Sequence, residues 1–339
     1  MKIAALSLAW FSACTSEGSD TSPDTSDTSD TADTADTGDT ASADDADGDG
    51  VLTADDCDDA DPAVTAATER RIPEGIFVRG HDDIPDASPA REIFVSTFCL
   101  DVYEVTNAQF AAFMNAQAQA GLVNQDAEGQ PLFDFEDADD DVPERILDGG
   151  DGTYTVQPGY EDHPVTEVYH WSGEAFCGAL GKRLPTEAEW EKAASGPEKW
   201  TWPWGEAMMD CSLANIRPGP EGLDPEGNEI PPCVDDTTPV GTYTTAPGPY
   251  GHYDLGGNVA EWVHDWYQEH YYGESPDTDP QGPDTGWSTS FPEGPAEARV
   301  TRGGSFASSG LSVQTMSRYV ERPYGTSNGV GFRCARSQP

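Results

Sequence analysis

The stretch Tyr250–Trp266, YGHYDLGGNVAEWVHDW, decides how the rest of the chain is interpreted. Its centre, Gly256-Gly257-Asn258, is a turn signal, because glycine and asparagine accept positive φ angles. Asp254 precedes the turn and Glu261 follows it, so two carboxylates flank a run of backbone carbonyls. Carboxylate and carbonyl oxygens are the ligands that a hard cation such as Ca²⁺ prefers. The alternative interpretation is a tight turn followed by a short helix that buries two tryptophans.

Composition limits the partners of this chain. It has 339 residues, with 17 Lys and Arg against 63 Asp and Glu, for a net charge of −46. Such an acidic protein does not bind nucleic acid by neutralising phosphates, and it favours cations or basic partners instead. With 35 Gly, 27 Pro and 9 Trp, we expect a loop-rich domain rather than long helices.

Three further blocks of the sequence are, like the opening stretch, short and motif-like. They are Glu104–Asn107 (EVTN), Gly181–Glu191 (GKRLPTEAEWE), and Arg302–Phe306 (RGGSF) with Gly331–Cys334 (GFRC). Together they resemble the formylglycine-generating enzyme family, also called sulfatase-modifying factors, over roughly residues 72–336. The resemblance implies an α+β fold of the formylglycine-generating-enzyme and C-type-lectin-like kind, loop-rich and stabilised by Ca²⁺ and disulfides.

The resemblance also implies two structural Ca²⁺ sites. The first takes the side chain of Asn215, the carbonyl of Ile216 and a later aspartate, either Asp235 or Asp236. The second uses groups of the opening stretch, namely the side chains of Asp254 and Glu261 and the carbonyls of Gly257 and Val259. Such ions join loops and take no part in chemistry.

The family's oxidase carries two cysteines whose thiolates bind Cu(I), and this chain departs from the family there. The corresponding positions are Ser308 and Val313, and neither side chain can replace a thiolate at a soft metal ion. Ala260 and Gly329 stand where the family has Trp and Asn, whereas Ser305 is retained. Copper is therefore not expected, and no catalytic residue is assigned.

The resulting functional hypothesis is a Ca²⁺-stabilised binding module for a peptide or a glycan. Its groove is expected near Trp204, Trp262, Ser305, Ser308 and Arg318. One alternative is a formylglycine-generating-type oxidoreductase that modifies a protein side chain by divergent chemistry. Another is a purely structural envelope protein.

The N-terminus resembles a bacterial lipoprotein signal. An apolar run within Met1–Ala13 ends in small residues before Cys14, which would be lipidated after cleavage. The alternative is a short ordinary secretory signal. Residues 15–43 repeat Asp-Thr-Ser and Asp-Thr-Ala triplets and are predicted to form an extended acidic tether. We therefore expect a lipid-anchored protein of the bacterial cell envelope, periplasmic or surface-exposed.

Residues 44–68 contain an EF-hand-like motif, and residues 69–339 form the main domain. The motif DADGDGVLTADD has Asp at loop positions 1, 3 and 5 and Gly at position 6, as a Ca²⁺ loop requires. Its predicted ligands are Asp45, Asp47, Asp49, the Val51 carbonyl, Thr53 and Asp56. Asp replaces the usual Glu at position 12. The alternative is that these residues simply continue the acidic tether.

Seven cysteines are present, and six remain if Cys14 is lipidated, an even number that suits an exported protein. The family resemblance pairs Cys177 with Cys334. Cys211 and Cys233 bracket one Gly- and Pro-rich loop and are expected to pair locally, leaving Cys57 with Cys99. Six cysteines allow fifteen pairings, and a reactive thiol pair is the competing interpretation.

Two helix starts are predicted from capping signals. Thr106 or Asn107 should cap a helix that begins near Ala108. Thr186 and Glu189 form a capping box that opens a later helix. Glu187 and Glu189 are interpreted as capping and dipole-matching groups of that helix.

Overall fold

The structure is a computed structural model that describes residues 57–58, 64–65, 67–135, 144–219 and 221–338. Three predicted features lie outside these residues and stay predictions: the lipoprotein signal with Cys14, the acidic tether, and the EF-hand-like ligands Asp45–Asp56. In the described part of the chain, no helix is long and apolar enough to cross a membrane.

The described residues form short strands and short helices joined by long loops. The strands are β1 (Glu69–Ile72), β2 (Gly75–Arg79), β3 (Arg91–Val95), β4 (Phe98–Asp101), β5 (Ile146–Asp148), β6 (Tyr154–Val156), β7 (Ala260–Trp266), β8 (Arg299–Arg302), β9 (Tyr319–Glu321), β10 (Val330–Gly331) and β11 (Ala335–Ser337). The α-helices are α1 (Asn107–Gln119), α2 (His170–Ala179), α3 (Glu187–Ser195) and α4 (Tyr271–Glu274), and Pro85–Ala87 forms one 3₁₀ turn.

A four-stranded sheet in the order β10-β7-β8-β9 carries the family motifs. β7 follows the Gly256-Gly257-Asn258 turn, β8 leads into the Gly-Gly-Ser turn after Arg302, and β10 opens the GFRC block. β7 pairs with β8 antiparallel and with β10 parallel. The remaining sheets are β1-β4-β11, β2-β3 and β5-β6. Because β7 is central, motifs from three distant parts of the chain meet along its two edges.

The segment after the glycine turn is a strand, not the short helix of the alternative interpretation. Residues 260–263 and 265 of β7 are buried, as expected for a strand covered on both faces. Pairing with β8 and β10 satisfies its backbone groups, which a short helix would satisfy internally. Sheet partners from distant sequence therefore decide the local conformation.

Both predicted helix starts are confirmed. Thr106 caps α1 and Thr186 caps α3, each through a complete capping box with the residue three positions later. α1 buries Phe110, Phe113 and Met114 on one face, as their spacing predicts. α3 is buried along its whole length, so Glu187 does not lie on a solvent-exposed first turn.

The core has two main parts on opposite sides of β7. One contains Trp262 and Phe332 with the apolar faces of α1 and α2. The other contains Trp190 of α3 with residues of β2, β3, β4 and β8. A large tryptophan at the centre of each part fits the aromatic-rich, loop-rich composition.

Three disulfides connect the loops to this core. They join Cys57 to Cys99, Cys177 to Cys334, and Cys211 to Cys233. The predicted pairings are confirmed, and the six cysteines in the described residues are all bonded. The competing interpretation of a reactive thiol pair is wrong for these six.

Candidate functional site

The glycine turn before β7 packs directly against the loop that contains Asn215. Gly257 and Asn258 both have left-handed backbones, with φ of 85° and 59°. A Cβ on Gly257 would lie 2.4 Å from the carbonyl oxygen of Asn215, far inside van der Waals contact. Only glycine fits at this position, so the two predicted Ca²⁺ loops touch through a backbone contact that no other residue allows.

Asn258 holds this region together with its side chain. Its Nδ2 donates a hydrogen bond to Oε2 of Glu104 at 2.6 Å, and its Oδ1 accepts one from the backbone of Thr238 at 2.8 Å. Its backbone N–H donates to the carbonyl of Asn215 at 2.9 Å. The sequence identified the EVTN block only as a helix start, and it missed Glu104 as the buried partner of the turn.

Three carboxylates gather beneath the turn. Glu104 and Glu261 are almost fully buried and Asp254 is partly buried. The guanidinium of Arg333 donates to both oxygens of Glu261, at 2.7 and 2.8 Å. Burial raises the pKa of Glu104 well above its usual range, and the charges of Asp254 and Glu261 raise it further. Burial also raises the pKa of Asp254 to about 6. When all three carboxyl groups are ionised, their charge exceeds that of Arg333, so a bound cation would favour the ionised forms.

The donor set of the second predicted Ca²⁺ site is compatible with such an ion. Asp254 accepts a hydrogen bond from the backbone of Gly241 at 2.6 Å, which holds its carboxylate near the turn. No group of three or more His, Cys, Asp or Glu side chains in the described residues is arranged to hold a metal ion. A Ca²⁺ ion would therefore need the carbonyls of Gly257 and Val259 besides the carboxylates, as the family resemblance implies.

The two aspartates considered for the first predicted site have different surroundings. Asn215 donates from Nδ2 to the carbonyl of Asp236 at 2.8 Å, whereas Asp235 is exposed at the surface. The carboxylate of Asp236 accepts hydrogen bonds from Arg145 at 2.6 Å and Tyr160 at 2.8 Å. The backbone of Asp236 thus lies beside Asn215, and the choice between Asp235 and Asp236 as the ligand stays a prediction.

One atom of this first site has no partner. The Oδ1 of Asn215 is buried and, among the described residues, lacks a hydrogen bond. The carbonyl of Ile216 already accepts from the backbone of Cys233 at 2.8 Å. Buried amide oxygens are normally satisfied, so the orphaned Oδ1 fits a position that a cation or a water would occupy.

Ser308 and Val313, where the family resemblance implies copper-binding cysteines, lie near each other. A Cβ on Gly304 would lie 3.0 Å from Oγ of Ser308 and 3.0 Å from Cγ1 of Val313, so both side chains pack against the same side of Gly304. Ser305 lies beside them, and its backbone N–H donates to Oγ of Ser308 at 2.9 Å. Gly329 approaches Ser305 from the other side, since a Cβ there would lie 3.2 Å from Oγ of Ser305.

Apolar side chains fill the far end of this pocket. Val313 is fully buried in a cluster with Met209 and Ile216. The Met209 side chain lies so close to Gly310 that no Cβ could be added there. The Val313 side is therefore a packed apolar contact, whereas the Ser305 and Ser308 side remains partly open to solvent.

Of the five predicted groove residues, Trp204, Ser305 and Ser308 are partly exposed, whereas Trp262 and Arg318 are buried. Ser305 and Trp204 are partly exposed, and Trp204 stacks on Trp202 with ring centres 6.4 Å apart. Trp262 is 1% exposed, and its indole N–H donates to the carbonyl of Val168 at 3.1 Å. The side chain of Arg318 is fully buried in an ion pair. Neither Trp262 nor Arg318 can contact a ligand, because the core surrounds both.

Arg318 belongs to a buried ion network that the sequence did not indicate. It donates to both oxygens of Glu187 at 2.7 and 3.0 Å. Arg302, from the RGGSF block, donates to Glu191 at 2.8 Å and reaches Glu187 at 3.3 Å. Glu187 lies in the first turn of α3, as its predicted dipole-matching role requires, and it is also an internal ion-pair partner, whereas Glu189 completes the predicted capping box. The network joins α3 to the loops that follow β8.

The family model for the sulfatase-modifying factor enzyme 1-like domain matches residues 57–338. The chain therefore belongs to this family. It is 34% identical over 305 residues to the formylglycine-generating enzyme of Thermomonospora curvata, covering 78% of this chain and 91% of that protein.

Two further similarities differ in how much they cover. The chain is 33% identical over 269 residues to a protein named serine/threonine-protein kinase pkn1 from Chlamydia caviae, and it spans only 37% of that protein's length. Among solved structures, PvdO from Pseudomonas aeruginosa has a TM-score of 0.55 at 23% identity, with 80% of this chain and 94% of PvdO covered. That likeness concerns the fold, and it agrees with the predicted α+β class.

Replacing Asn258 with alanine should destabilise the protein strongly. The change leaves the buried carboxylate of Glu104 and the backbone of Thr238 without their partner, so the free energy of unfolding should fall by about 2–4 kcal/mol. Urea unfolding of both proteins measures this. The control is Asn228→Ala at an exposed position, which should stay within about 0.5 kcal/mol of wild type. If both variants change the free energy of unfolding by a similarly small amount, the central role of Asn258 is contradicted.

The buried carboxylate of Asp265 should make stability depend on pH. Burial and then the charge of Glu187 raise its pKa from 3.8 to about 7, so the folded state holds its proton more tightly than the unfolded state. The stability linked to this proton is complete below pH 3.8 and is lost as the pH rises through about 7. Asp265→Asn should therefore gain stability relative to wild type as the pH rises across this window.

Urea unfolding at intervals across that window measures the effect. The matched control is Asp284→Asn, which lies at an exposed position and should keep a constant difference from wild type. If the free energy of unfolding of Asp265→Asn also differs from that of wild type by a constant amount across these pH values, the raised pKa of Asp265 is contradicted.

Proposed function

We propose that this protein is a Ca²⁺-stabilised binding module of the cell envelope that recognises a peptide or a glycan, and that it is not a copper oxidase. The observation that carries the proposal is the pair Ser308 and Val313, which pack together against Gly304 where the family resemblance implies thiolates. Cu(I) is soft and needs soft ligands, which a hydroxyl and an isopropyl group do not provide. The six cysteines of the described residues are bonded in disulfides and offer no substitute.

Three features support a ligand-binding role at this place. Ser305 and Ser308 remain partly exposed, so hydroxyl groups line an accessible surface. The stacked Trp202 and Trp204 pack against the cluster that contains Val313, and Met208, close by in the sequence, has an exposure of 73% that is unusual for a large apolar side chain. Aromatic rings with polar tips beside hydroxyl groups are common in sites that bind sugars and peptides.

Calcium has a stabilising role in the proposal. Asp254 and Glu261 would hold one ion with the carbonyls of Gly257 and Val259, and Asn215 with Asp236 would contribute to a second. The excess buried negative charge and the orphaned Oδ1 of Asn215 support these assignments. The lipid anchor at Cys14 and the acidic tether, both inferred from sequence, would hold the domain at the membrane surface.

A formylglycine-generating-type oxidoreductase is the second candidate. It is favoured by the 34% identity to the enzyme of Thermomonospora curvata over most of both chains. Such an activity would need chemistry that does not depend on thiolates at positions 308 and 313. The kinase name of the chlamydial relative supports no activity here, because the chain spans 37% of that protein.

A gain-of-site variant tests the copper argument. Ser308→Cys together with Val313→Cys should place two thiols against Gly304, and the variant should bind about one Cu(I) per chain in competition with a chromophoric chelator. Ascorbate keeps the copper reduced, and a thiol count confirms that the new cysteines are free. Wild type and the control Ser308→Ala with Val313→Ala should bind none. Stoichiometric Cu(I) in wild type would overturn the proposal.

Wild type and the two double variants also distinguish the binding module from the oxidoreductase. Each is incubated with a cysteine-containing peptide, Cu(I) and oxygen, and the peptide mass is measured. Wild type should leave the cysteine unchanged, and conversion to formylglycine by wild type would establish the second candidate. Binding is followed in parallel on peptide and glycan arrays with the full chain, where retention on neither array would contradict the binding module.

Removing Ca²⁺ should lower stability through the glycine turn. A chelator should lower the melting temperature of wild type, because a ligand at about 100 times its Kd contributes about 2.7 kcal/mol. Asp254→Asn keeps the shape and tolerates the left-handed backbone but removes the charge, so its melting temperature should fall less in the chelator than that of wild type, the remaining shift coming from the second site at Asn215. The control, Asp47→Ala with Asp49→Ala, should lose one bound Ca²⁺ yet keep the shift. An equal response in Asp254→Asn would contradict the site.

A further inference from the structure

Two carboxylates lie opposite each other on neighbouring strands. Glu69 of β1 and Asp101 of β4 are direct partners in the antiparallel pair. Like charges in such positions destabilise a sheet unless a cation lies between them. Lys182, from the loop that follows α2, is that cation, and its Nζ lies 2.6 Å from Oε1 of Glu69 and 2.6 Å from Oδ1 of Asp101. One amine therefore contacts two carboxyl groups.

The three side chains are held close together and largely away from water. Their exposed fractions are 2% for Glu69, 12% for Lys182 and 15% for Asp101. Because Cγ of Asp101 is one bond from Oδ1, it lies within about 3.8 Å of Nζ of Lys182. A small rotation of the lysine side chain brings these two atoms to an attack distance of about 3–3.5 Å. Such fixed proximity greatly raises the effective concentration of the two groups.

The two carboxyl groups have different further partners. The backbone N–H of Cys334 donates to Oδ2 of Asp101 at 3.0 Å, so negative charge that develops on this oxygen is stabilised. Glu69 instead has a guanidinium partner, because Nε of Arg336 lies 3.3 Å from its Oε2. Among the described residues, no guanidinium pairs with the carboxyl of Asp101. Asp101 is therefore the better acceptor for a nucleophile, and Glu69 is placed to move protons.

The lysine and the acceptor must both become neutral before a bond can form between them. An amine attacks with its lone pair, so a proton has to pass from Lys182 to Asp101 first. Burial raises the pKa of Asp101 against the opposing charge of Lys182, which favours the protonated acid. Burial acts to lower the pKa of Lys182, but the charges of Asp101 and Glu69 outweigh it and raise that pKa. The neutral pair is thus a minor state, and the reaction should be slow and should follow folding.

We propose that Lys182 and Asp101 form an intramolecular isopeptide bond, with Glu69 as the group that moves the protons. Once Nζ has passed a proton to Oδ1 of Asp101, its lone pair attacks Cγ and a new N–C bond forms. Glu69 takes a second proton from the nitrogen and gives it to the hydroxyl at Oδ1. The Cγ–Oδ1 bond then breaks and water leaves. An amine and an acid become an amide and water, so no oxidant or other reagent is needed.

The surroundings suit both the reaction and its product. A cavity of about 220 Å³ adjoins Lys182 and gives the released water a path out. The new bond joins β4 to the loop after α2, across 81 positions of sequence. It lies beside the disulfide between Cys177 and Cys334, which joins α2 to the residue before β11. A reductant breaks a disulfide but not an amide, so these elements stay cross-linked under reducing conditions.

Peptide mapping of the full chain tests the bond. Purified protein is sampled over several days at neutral pH, then denatured, reduced, alkylated, cleaved with trypsin and analysed by mass spectrometry. Wild type should accumulate one branched peptide that joins the segments containing Lys182 and Asp101 and is lighter than their sum by one water molecule. Trypsin should no longer cleave after Lys182. Persistently separate peptides in wild type would overturn the proposal, and a bond from Lys182 to Glu69 would overturn the choice of acceptor.

Variants test the role of each group. Lys182→Arg keeps the positive charge and should give no branched peptide. Glu69→Gln keeps the shape, removes the proton acceptor, and should slow bond formation at least about tenfold. The matched control Glu74→Gln changes an exposed carboxylate just beyond β1 and should react as wild type does. An unchanged rate in Glu69→Gln, or equal slowing in Glu74→Gln, would contradict the role of Glu69. Because replacing Glu69 can disturb the sheet, the wild-type mass decides by itself whether the bond exists.

Discussion

The side chain of Asn258 connects three parts of the chain that are distant in sequence. It donates to Glu104 before α1, it accepts from Thr238 in the long loop, and its backbone donates to Asn215. The turn that places it requires left-handed backbone at two successive residues and no side chain on Gly257. Because these loops have little regular structure of their own, they depend on such polar contacts to fix them against β7.

Buried charge is the second constraint on this fold. Glu261 pairs with Arg333 and accepts a hydrogen bond from the indole of Trp190, and Glu187 pairs with Arg302 and Arg318. Removing charges from water is costly, and good hydrogen-bond geometry only offsets that cost. Such pairs favour one arrangement of loops over others rather than simply adding stability. This suits a domain that has long irregular segments and few long elements.

In this fold, buried ion pairs lie beside the two positions, 308 and 313, at which the family resemblance implies different side chains. The arginine of the Gly-Gly-Ser block and the GFRC block keep their buried partners, whereas the neighbouring positions 308 and 313 hold a hydroxyl and an isopropyl group. The supports determine stability and the pocket determines chemistry, so the pocket can change while the fold is kept. This separation is why family membership settles the fold of this protein and leaves its activity to be proposed.

The sequence by itself determined the family, the fold class, the helix caps and the disulfide pairs, because these depend on local signals or on motifs in order. Tertiary structure alone decided that β7 is a strand, since its partners come from residues about 40 and 70 positions away. It also decided that Trp262 and Arg318 are interior and that Asp236 lies beside Asn215. It brought Glu69, Asp101 and Lys182 together from two strands and a loop. The conformations of the connecting loops and the burial of each side chain determine these contacts, and neither follows from the spacing of residues along the sequence.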